Sequence, residues 1–139
     1  MEPNNLKRAA WTLHAATLES LFHAAALRAS ALLVEPSTVH PGGLRDRLQA
    51  AGGDPRELME RWLNEIAHQL SANGTVLGAL RILRLSPPGP RWTIDAEIDG
   101  ELLDPGRHGA HPGAKAARFA VEAVEEGPDG WRLQAVFDA

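Results

Sequence analysis

The chain has 139 residues, of which 14 are Lys or Arg and 18 are Asp or Glu, for a formal net charge of -4. This length predicts a single domain over residues 1–139, and the acidic balance argues against strong direct binding to nucleic acid, since phosphate contacts need a basic surface. There is no cysteine, so disulfides, thiolate metal sites and cysteine nucleophiles are excluded.

Two helices are predicted in the first half of the chain. The first follows Thr17, whose hydroxyl can cap a free backbone N–H, and Pro36 is expected to end it. The second is predicted to begin at Asp54, a good N-cap, and to stop at Asn73-Gly74, since either residue tolerates the left-handed conformation that closes a helix. Apolar residues recur at helical spacing in both segments: Leu18, Leu21, Phe22, Ala25, Ala29 and Leu32, then Leu58, Trp62, Ile66 and Leu70.

Strands are predicted mainly in the second half. The clearest covers residues 92–98, where every second residue is apolar, and residues 127–130 (GPDG) predict a tight turn. The other predicted strands are 75–85, 117–123 and 131–137, with weaker signals at 11–14 and 44–48. The order β-α-β-α-β-β-β-β predicts an α+β fold: a mostly antiparallel or mixed β-sheet with two main helices packed on one face.

Nothing in the sequence predicts a signal peptide or a membrane span. Residues 1–10 have no apolar h-region, and no stretch approaches the ~18 apolar residues that a span needs. We therefore expect a cytoplasmic protein without membrane contacts.

A long connection at residues 100–113 (GELLDPGRHGAHPG) separates two of the predicted strands. Long loops in compact domains are often functional, and Asp104, His108 and His111 could together bind a transition metal. Solvated loop histidines are the simpler interpretation, because this spacing matches no strong metal motif.

Several segments, in order along the whole chain, resemble the archease family. Residues 17–22 (TLESLF) with 33–39 (LVEPSTV) are similar to its TLEEAF…MVDPSTV pattern, and residues 61–65 (RWLNE) to its RWLNEL segment. Residues 104–108 (DPGRH), 113–116 (GAKA) and 136–139 (VFDA) resemble its DPERHE, EVKAITYH and VFDI elements.

This resemblance implies a non-catalytic helper with the α+β fold. Archeases promote guanylylation and turnover of the RtcB-type RNA ligase of tRNA splicing, so the implied partner is such a ligase. The family also carries a site for a divalent metal such as calcium, magnesium or manganese. That site joins an acidic residue of an N-terminal HTAD-like motif to the C-terminal aspartate and the final residue.

The sequence departs from the family at this metal site. Counting back from Thr17, the aspartate of the HTAD-like motif corresponds to Arg8, or to no residue if this segment has been rewritten, and a hard cation needs oxygen ligands there. Asp138 and Ala139 are the metal-ligand candidates that remain. The family's TYH after the lysine reads Arg118-Phe119-Ala120, whereas Lys115 is retained.

The candidates for contact with the partner are Lys115, Arg107, His108 and Asp104, each of which has an ordinary surface role as its alternative. Two other functions compete with the ligase helper. One is a protein-interaction module of archease fold without metal, motivated by Arg8, and the other is a small metal-dependent hydrolase using the loop histidines. The oligomeric state is left open.

Several other residues are expected to have structural roles. Trp62 is expected in the core, and Arg61 and Glu65 are expected to pair on the helix surface, since they lie four residues apart. Arg81, Arg84 and Arg91 are interpreted as charges on a solvated strand edge.

Overall fold

The computed structural model describes residues 8–34, 44–86, 91–104 and 117–138. In chain order these form β1 (Arg8–Ala15), α1 (Leu18–Leu33), β2 (Leu44–Gly52), α2 (Pro55–Asn73), β3 (Thr75–Ser86), β4 (Trp92–Leu102), β5 (Arg118–Gly127) and β6 (Gly130–Asp138). The predicted order of elements is confirmed, including the two early strands with weak sequence signals.

Both helices begin where their capping residues predict. The Thr17 side chain accepts a hydrogen bond from the Ser20 N–H at 3.1 Å, and the Asp54 side chain accepts one from Glu57 N–H at 2.8 Å. At the far end of α2, Gly74 has a φ of 65° and closes the helix in the left-handed conformation. α1 ends at Leu33, ahead of Pro36, which lies outside the described residues.

The strands form two separate antiparallel sheets, with strand orders β1-β6-β5 and β2-β4-β3. The predicted α+β class is confirmed, and the strands expected in one sheet are divided between two. The physical reason is connectivity. β4 ends at Leu102 and β5 begins only at Arg118, so β5 need not pair with β4 and instead forms a hairpin with β6.

The helices pack against the inner faces of both sheets. α1 contacts β1 and β6 of one sheet and β3 of the other, while α2 contacts β5 and all three strands of the β2-β4-β3 sheet. One hydrophobic core therefore joins all the elements. Trp62 is fully buried in it, as predicted, and its indole N–H donates to the Phe22 carbonyl of α1 at 3.0 Å.

Candidate functional site

Asp138, the retained metal-ligand candidate, lies on the central strand of the β1-β6-β5 sheet. It pairs in register with Arg8 on β1 and with Arg118 on β5. The N-terminal position assigned to the family's missing aspartate therefore lies directly across from the C-terminal aspartate. The structure adds Arg118 on the other side, which sequence reasoning did not connect with Asp138.

Asp138 belongs to the outer face of this sheet. Leu133, Ala135 and Phe137 of β6 are buried in the core, and side chains alternate between faces along a strand. Asp138 thus points away from the core and is half-buried, whereas Arg118 is exposed. Residues directly opposite each other in an antiparallel pair have Cβ atoms about 5 Å apart, so Arg118 and Asp138 lie within mutual reach.

The C-terminal end of α1 lies at the same end of the molecule as Asp138. The Arg28 guanidinium in the second half of α1 stands 5.8 Å from the centre of the Trp11 ring on β1. Trp11 is three positions after Arg8, and α1 follows β1 through a short turn that reverses the chain. The last turn of α1 therefore lies toward the end of β1 where Arg8 pairs with Asp138.

The C-terminal end of α2 completes this arrangement. Leu103 N–H donates to the Gly74 carbonyl at 2.6 Å, which places the exposed Asp104 beside the end of α2. An apolar crevice is lined by the last residues of both helices and the start of β3, among them Leu33, Val34, Gln69, Leu70 and Thr75. We call this end the helix-end pole and define it by Arg8, Asp104, Arg118 and Asp138.

Several predicted residues lie outside the described part of the chain. They are Arg107, His108, His111, Lys115 and Ala139. Their roles remain predictions from the sequence, and only Asp104 and Asp138 of the predicted site residues can be placed.

The described residues of the helix-end pole do not fit a divalent cation. Among residues 8–34, 44–86, 91–104 and 117–138, no group of three or more His, Cys, Asp or Glu could hold a metal ion. Such ions need several oxygen ligands, and carboxylates supply most of them. Asp138 is instead paired in register with Arg118, whose positive charge opposes that of a cation.

The RWLNE segment at residues 61–65, which carries part of the family resemblance, has a structural role through Asn64. Phe119 N–H donates to Asn64 Oδ1 at 2.8 Å, and Asn64 Nδ2 donates to the Phe119 carbonyl at 2.8 Å. Val121 N–H donates to Glu60 at 2.9 Å, and Arg56 donates to the Val121 carbonyl at 2.9 Å. Three side chains of α2 thus take the place of a neighbouring strand on the free edge of β5. We call Arg56, Glu60 and Asn64 the edge clamp.

Sequence reasoning missed the edge clamp, although one signal was present. Asparagine is unfavourable inside a helix, because its side chain competes for backbone hydrogen bonds, so a mid-helix Asn64 needs a compensating partner. The predicted pair of Arg61 with Glu65 was wrong. Arg61 lies 3.5 Å from Glu57, one turn earlier rather than later, in an exposed ion pair.

The outer face of the β2-β4-β3 sheet carries a ladder of alternating charges. Acidic residues of the central β4 face arginines on both flanking strands: Asp99 with Arg45 at 3.8 Å, Asp95 with Arg47 at 2.5 Å and Glu97 with Arg81 at 3.2 Å. The hydrogen bond from Arg47 holds the pKa of Asp95 below its usual range. β3 is an edge strand, as predicted, and its arginine at 81 is engaged with Glu97.

The comparisons with known proteins agree with this architecture. Residues 9–139 match the model of the archease protein family (MTH1598/TM1083). The chain is 31% identical over 124 residues to the protein archease of Aeropyrum pernix, covering 88% of this chain and 84% of that protein. It is 29% identical over 130 residues to the protein archease of Methanopyrus kandleri, covering 94% and 91%.

Two solved structures share the fold at low sequence identity. The solution structure of Methanobacterium thermoautotrophicum protein 1598 has a TM-score of 0.67 at 14% identity, covering 100% of this chain and 96% of that one. The crystal structure of an archease, possible chaperone, from Thermotoga maritima has a TM-score of 0.50 at 14% identity, covering 94% and 90%.

Two helices between two three-stranded antiparallel sheets, with the first and last strands paired, place this protein in the α+β class that those structures represent. The match over residues 9–139 and the relative at 31% identity are specific to one family within that class. The chain belongs to the archease family. Among its described residues, no helix is both long and apolar enough to cross a membrane.

Proposed function

We propose that this chain is an archease-type accessory protein that promotes guanylylation and repeated turnover of an RtcB-type RNA ligase in tRNA splicing or RNA repair, acting in the cytoplasm. The observation that carries the proposal is the family match over residues 9–139. The Thermotoga maritima structure is described as a possible chaperone, and a chaperone acts on other proteins. A role through a protein partner also suits the net charge of -4.

The surface that we propose for the ligase is the helix-end pole. Asp104 is exposed there, directly after the Leu103 bond to the end of α2. The sequence candidates Arg107, His108 and Lys115 follow Asp104 in the chain, before β5 begins at this same pole. Two other polar surfaces are engaged within the chain, because the edge clamp binds the free edge of β5 and Arg45, Arg47 and Arg81 pair with acidic residues of β4.

Guanylylation of the cognate ligase tests this proposal directly. Covalent transfer of labelled GMP to the ligase, and the number of ligation turnovers, would be measured with and without this protein. We expect a rise in both, reduced by Lys115→Ala and by Arg107→Ala and retained by Arg61→Ala. The last is a matched control, because Arg61 is an exposed arginine of α2 that contacts Glu57 within its own helix. An active ligase that shows no stimulation would defeat the proposal.

A second candidate, a protein-interaction module without metal chemistry, is favoured by the arginine positions on both sides of Asp138. It predicts that the ligase co-purifies with this protein from the source cell while guanylylation is unchanged. The hydrolase alternative has no such support. Its two histidines lie outside the described residues, and unchanged metal content after replacing both His108 and His111 with alanine would remove it.

A further inference from the structure

We propose that β1 is a strand-pairing edge and that this protein forms a weak dimer, in which β1 pairs antiparallel with β1 of a second copy. Such self-association goes beyond the proposed function and holds whether or not an RNA ligase is the partner. Three features of the molecule support it: the difference between the four outer strand edges, the backbone groups that β1 presents, and the flank of α1 beside β1.

Each three-stranded sheet has two outer strands, and three of the four resulting edges are protected against pairing. The edge of β5 is bonded by the edge clamp. β2 carries a charged run at residues 45–47 (RDR), and β3 has two register shifts together with Arg81 and Arg84. Covering side chains, charges and bulges are the devices by which proteins keep strand edges from pairing.

β1 has none of these protections in the part of the chain that the structure describes. Residues 9–15 (AAWTLHA) contain no Asp, Glu, Lys, Arg, Pro or Gly, and β1 pairs with β6 without a register shift. Ala9, Ala10, Thr12 and His14 are exposed. A regular, uncharged and accessible edge strand is one that can accept a further strand.

Strand register shows which backbone groups β1 presents. Phe119 turns its N–H and C=O away from β6 and towards Asn64 of the edge clamp, so its pair with Phe137 is not hydrogen-bonded. Phe137 therefore points its own backbone groups at Ala9 on the other side, and the pattern alternates along β1. The open edge then carries the N–H and C=O groups of Ala10, Thr12 and His14. Among the described residues, no backbone bond from another segment reaches these groups.

A second copy fits this edge because β1 is complementary to itself about Thr12. In antiparallel pairing centred there, Thr12 faces Thr12 of the second copy, and Ala10 faces His14 on either side, which makes three hydrogen-bonded pairs. No like charges lie opposite each other, and a Thr–Thr pair is favourable across strands. A charged partner strand would find no opposite charge on residues 9–15, whereas an uncharged copy of β1 needs none.

The flank of α1 beside β1 suits the same contact. Ala24, Leu27 and Ala31 recur at helical spacing and form a small apolar stripe, in which Leu27 is 39% exposed. Arg28 is next to this stripe and holds its guanidinium 5.8 Å from the centre of the Trp11 ring, so the stripe lies towards the β1 side of the helix. The outward flank of α2 is polar by contrast and carries Glu57, Arg61 and Glu65.

Two copies of α1 would meet beneath the joined sheets. α1 packs against both β1 and β6, so its axis lies about 5 Å from the plane midway between the two copies of β1. The two helices would then be about 10 Å apart, a usual distance for packed helices with small side chains between them. The shared strip would be only about 23 Å long, for the paired residues 9–15, which is small for a standard interface. We therefore expect a dissociation constant in the micromolar range.

Sedimentation equilibrium of the full chain between about 5 and 500 µM tests the proposal, since this range brackets a micromolar dissociation constant. The mass of the wild-type protein is expected to rise towards twice that of one chain. Thr12→Pro removes the central N–H on the open edge and no bond to β6, so it should raise the dissociation constant about tenfold or more. Thr12→Ala is the matched control, because it keeps every backbone bond and should dimerise like wild type. Thr12→Lys places two positive charges opposite each other, should also weaken the dimer, and covers a proline variant that fails to fold.

Single-cysteine variants locate the contact, because the chain has no cysteine of its own. Thr12→Cys would bring two thiols to paired positions with Cα atoms about 5.5 Å apart, within disulfide range, and should give a covalent dimer on mild oxidation. Ala120→Cys is the control, at an exposed alanine of β5. In the proposed dimer this position would be at least about 24 Å from its copy, across five strand spacings, and should give no covalent dimer.

Two results would overturn the proposal. One is a monomer at every concentration, because β1 would then not pair with itself, and this includes the case in which a strand of another protein occupies the edge. The other is a dimer that Thr12→Pro and Thr12→Lys leave unchanged, or that cross-links equally through Ala120→Cys, because the contact would then lie elsewhere on the molecule.

Discussion

Replacing Asn64 with leucine tests whether the edge clamp stabilises the fold. The change removes two hydrogen bonds of 2.8 Å, one from Phe119 N–H and one to the Phe119 carbonyl, and a third from Asn64 Nδ2 to the Glu60 carbonyl at 3.0 Å. A hydrogen bond contributes about 0.5–1.5 kcal/mol net, and the groups left behind are half-buried, so we expect a loss of about 2 kcal/mol in the free energy of unfolding. For a chain of about this size, that corresponds to a fall in Tm of about 4–8 °C.

Thermal denaturation and amide hydrogen exchange would measure this effect. The Phe119 amide should exchange faster in Asn64→Leu, while the Val121 amide, held by Glu60, should keep more of its protection. Asn73→Leu is the matched control, because Asn73 is an exposed asparagine of the same helix that bonds only to the Gln69 side chain at 3.0 Å. An unchanged Tm together with a protected Phe119 amide would refute the reasoning.

Three further predictions concern stability. Gly100→Ala should lower the free energy of unfolding by more than about 2 kcal/mol in chemical denaturation, because a Cβ there would collide with the backbone of β3. Gly53→Ala is the control and should be tolerated, because a Cβ there would meet only the flexible side chain of Glu57. Trp62→Phe should cost more than Trp11→Phe in the same assay, because the buried Trp62 indole donates a hydrogen bond, whereas the Trp11 indole N–H has no hydrogen-bond partner among the described residues; equal losses would contradict this. The hydrogen bond from the Gly53 N–H holds the pKa of the Glu57 carboxyl below its usual value. Ionised Glu57 therefore stabilises the fold above about pH 5, and this contribution to the free energy of unfolding is lost as pH falls through the folded pKa. Glu57→Gln should reduce the fall in the free energy of unfolding on acidification, and an unchanged dependence of that free energy on pH would contradict the prediction.

Local physical chemistry explains what was predictable about the candidate site. The helix that carries the edge clamp was predicted from an N-cap at Asp54 and a stop at Asn73-Gly74, both within a few residues of the groups they bond. What the helix binds could not be predicted in the same way. Asn64 and Phe119 are 55 positions apart, and nothing in the local pattern of either segment shows that they meet.

Sequence alone determined the α+β class, the order of all eight elements, the helix starts and the core position of Trp62, because capping, turn chemistry and periodicity act over a few neighbouring residues. Only the tertiary structure decided that the strands form two sheets and that β1 pairs with β6. That pairing places Arg8, Asp138 and Arg118 in one row. Strand register depends on packing between segments that are far apart in the sequence. The cross-strand neighbours of Asp138 could therefore be identified only from the tertiary structure.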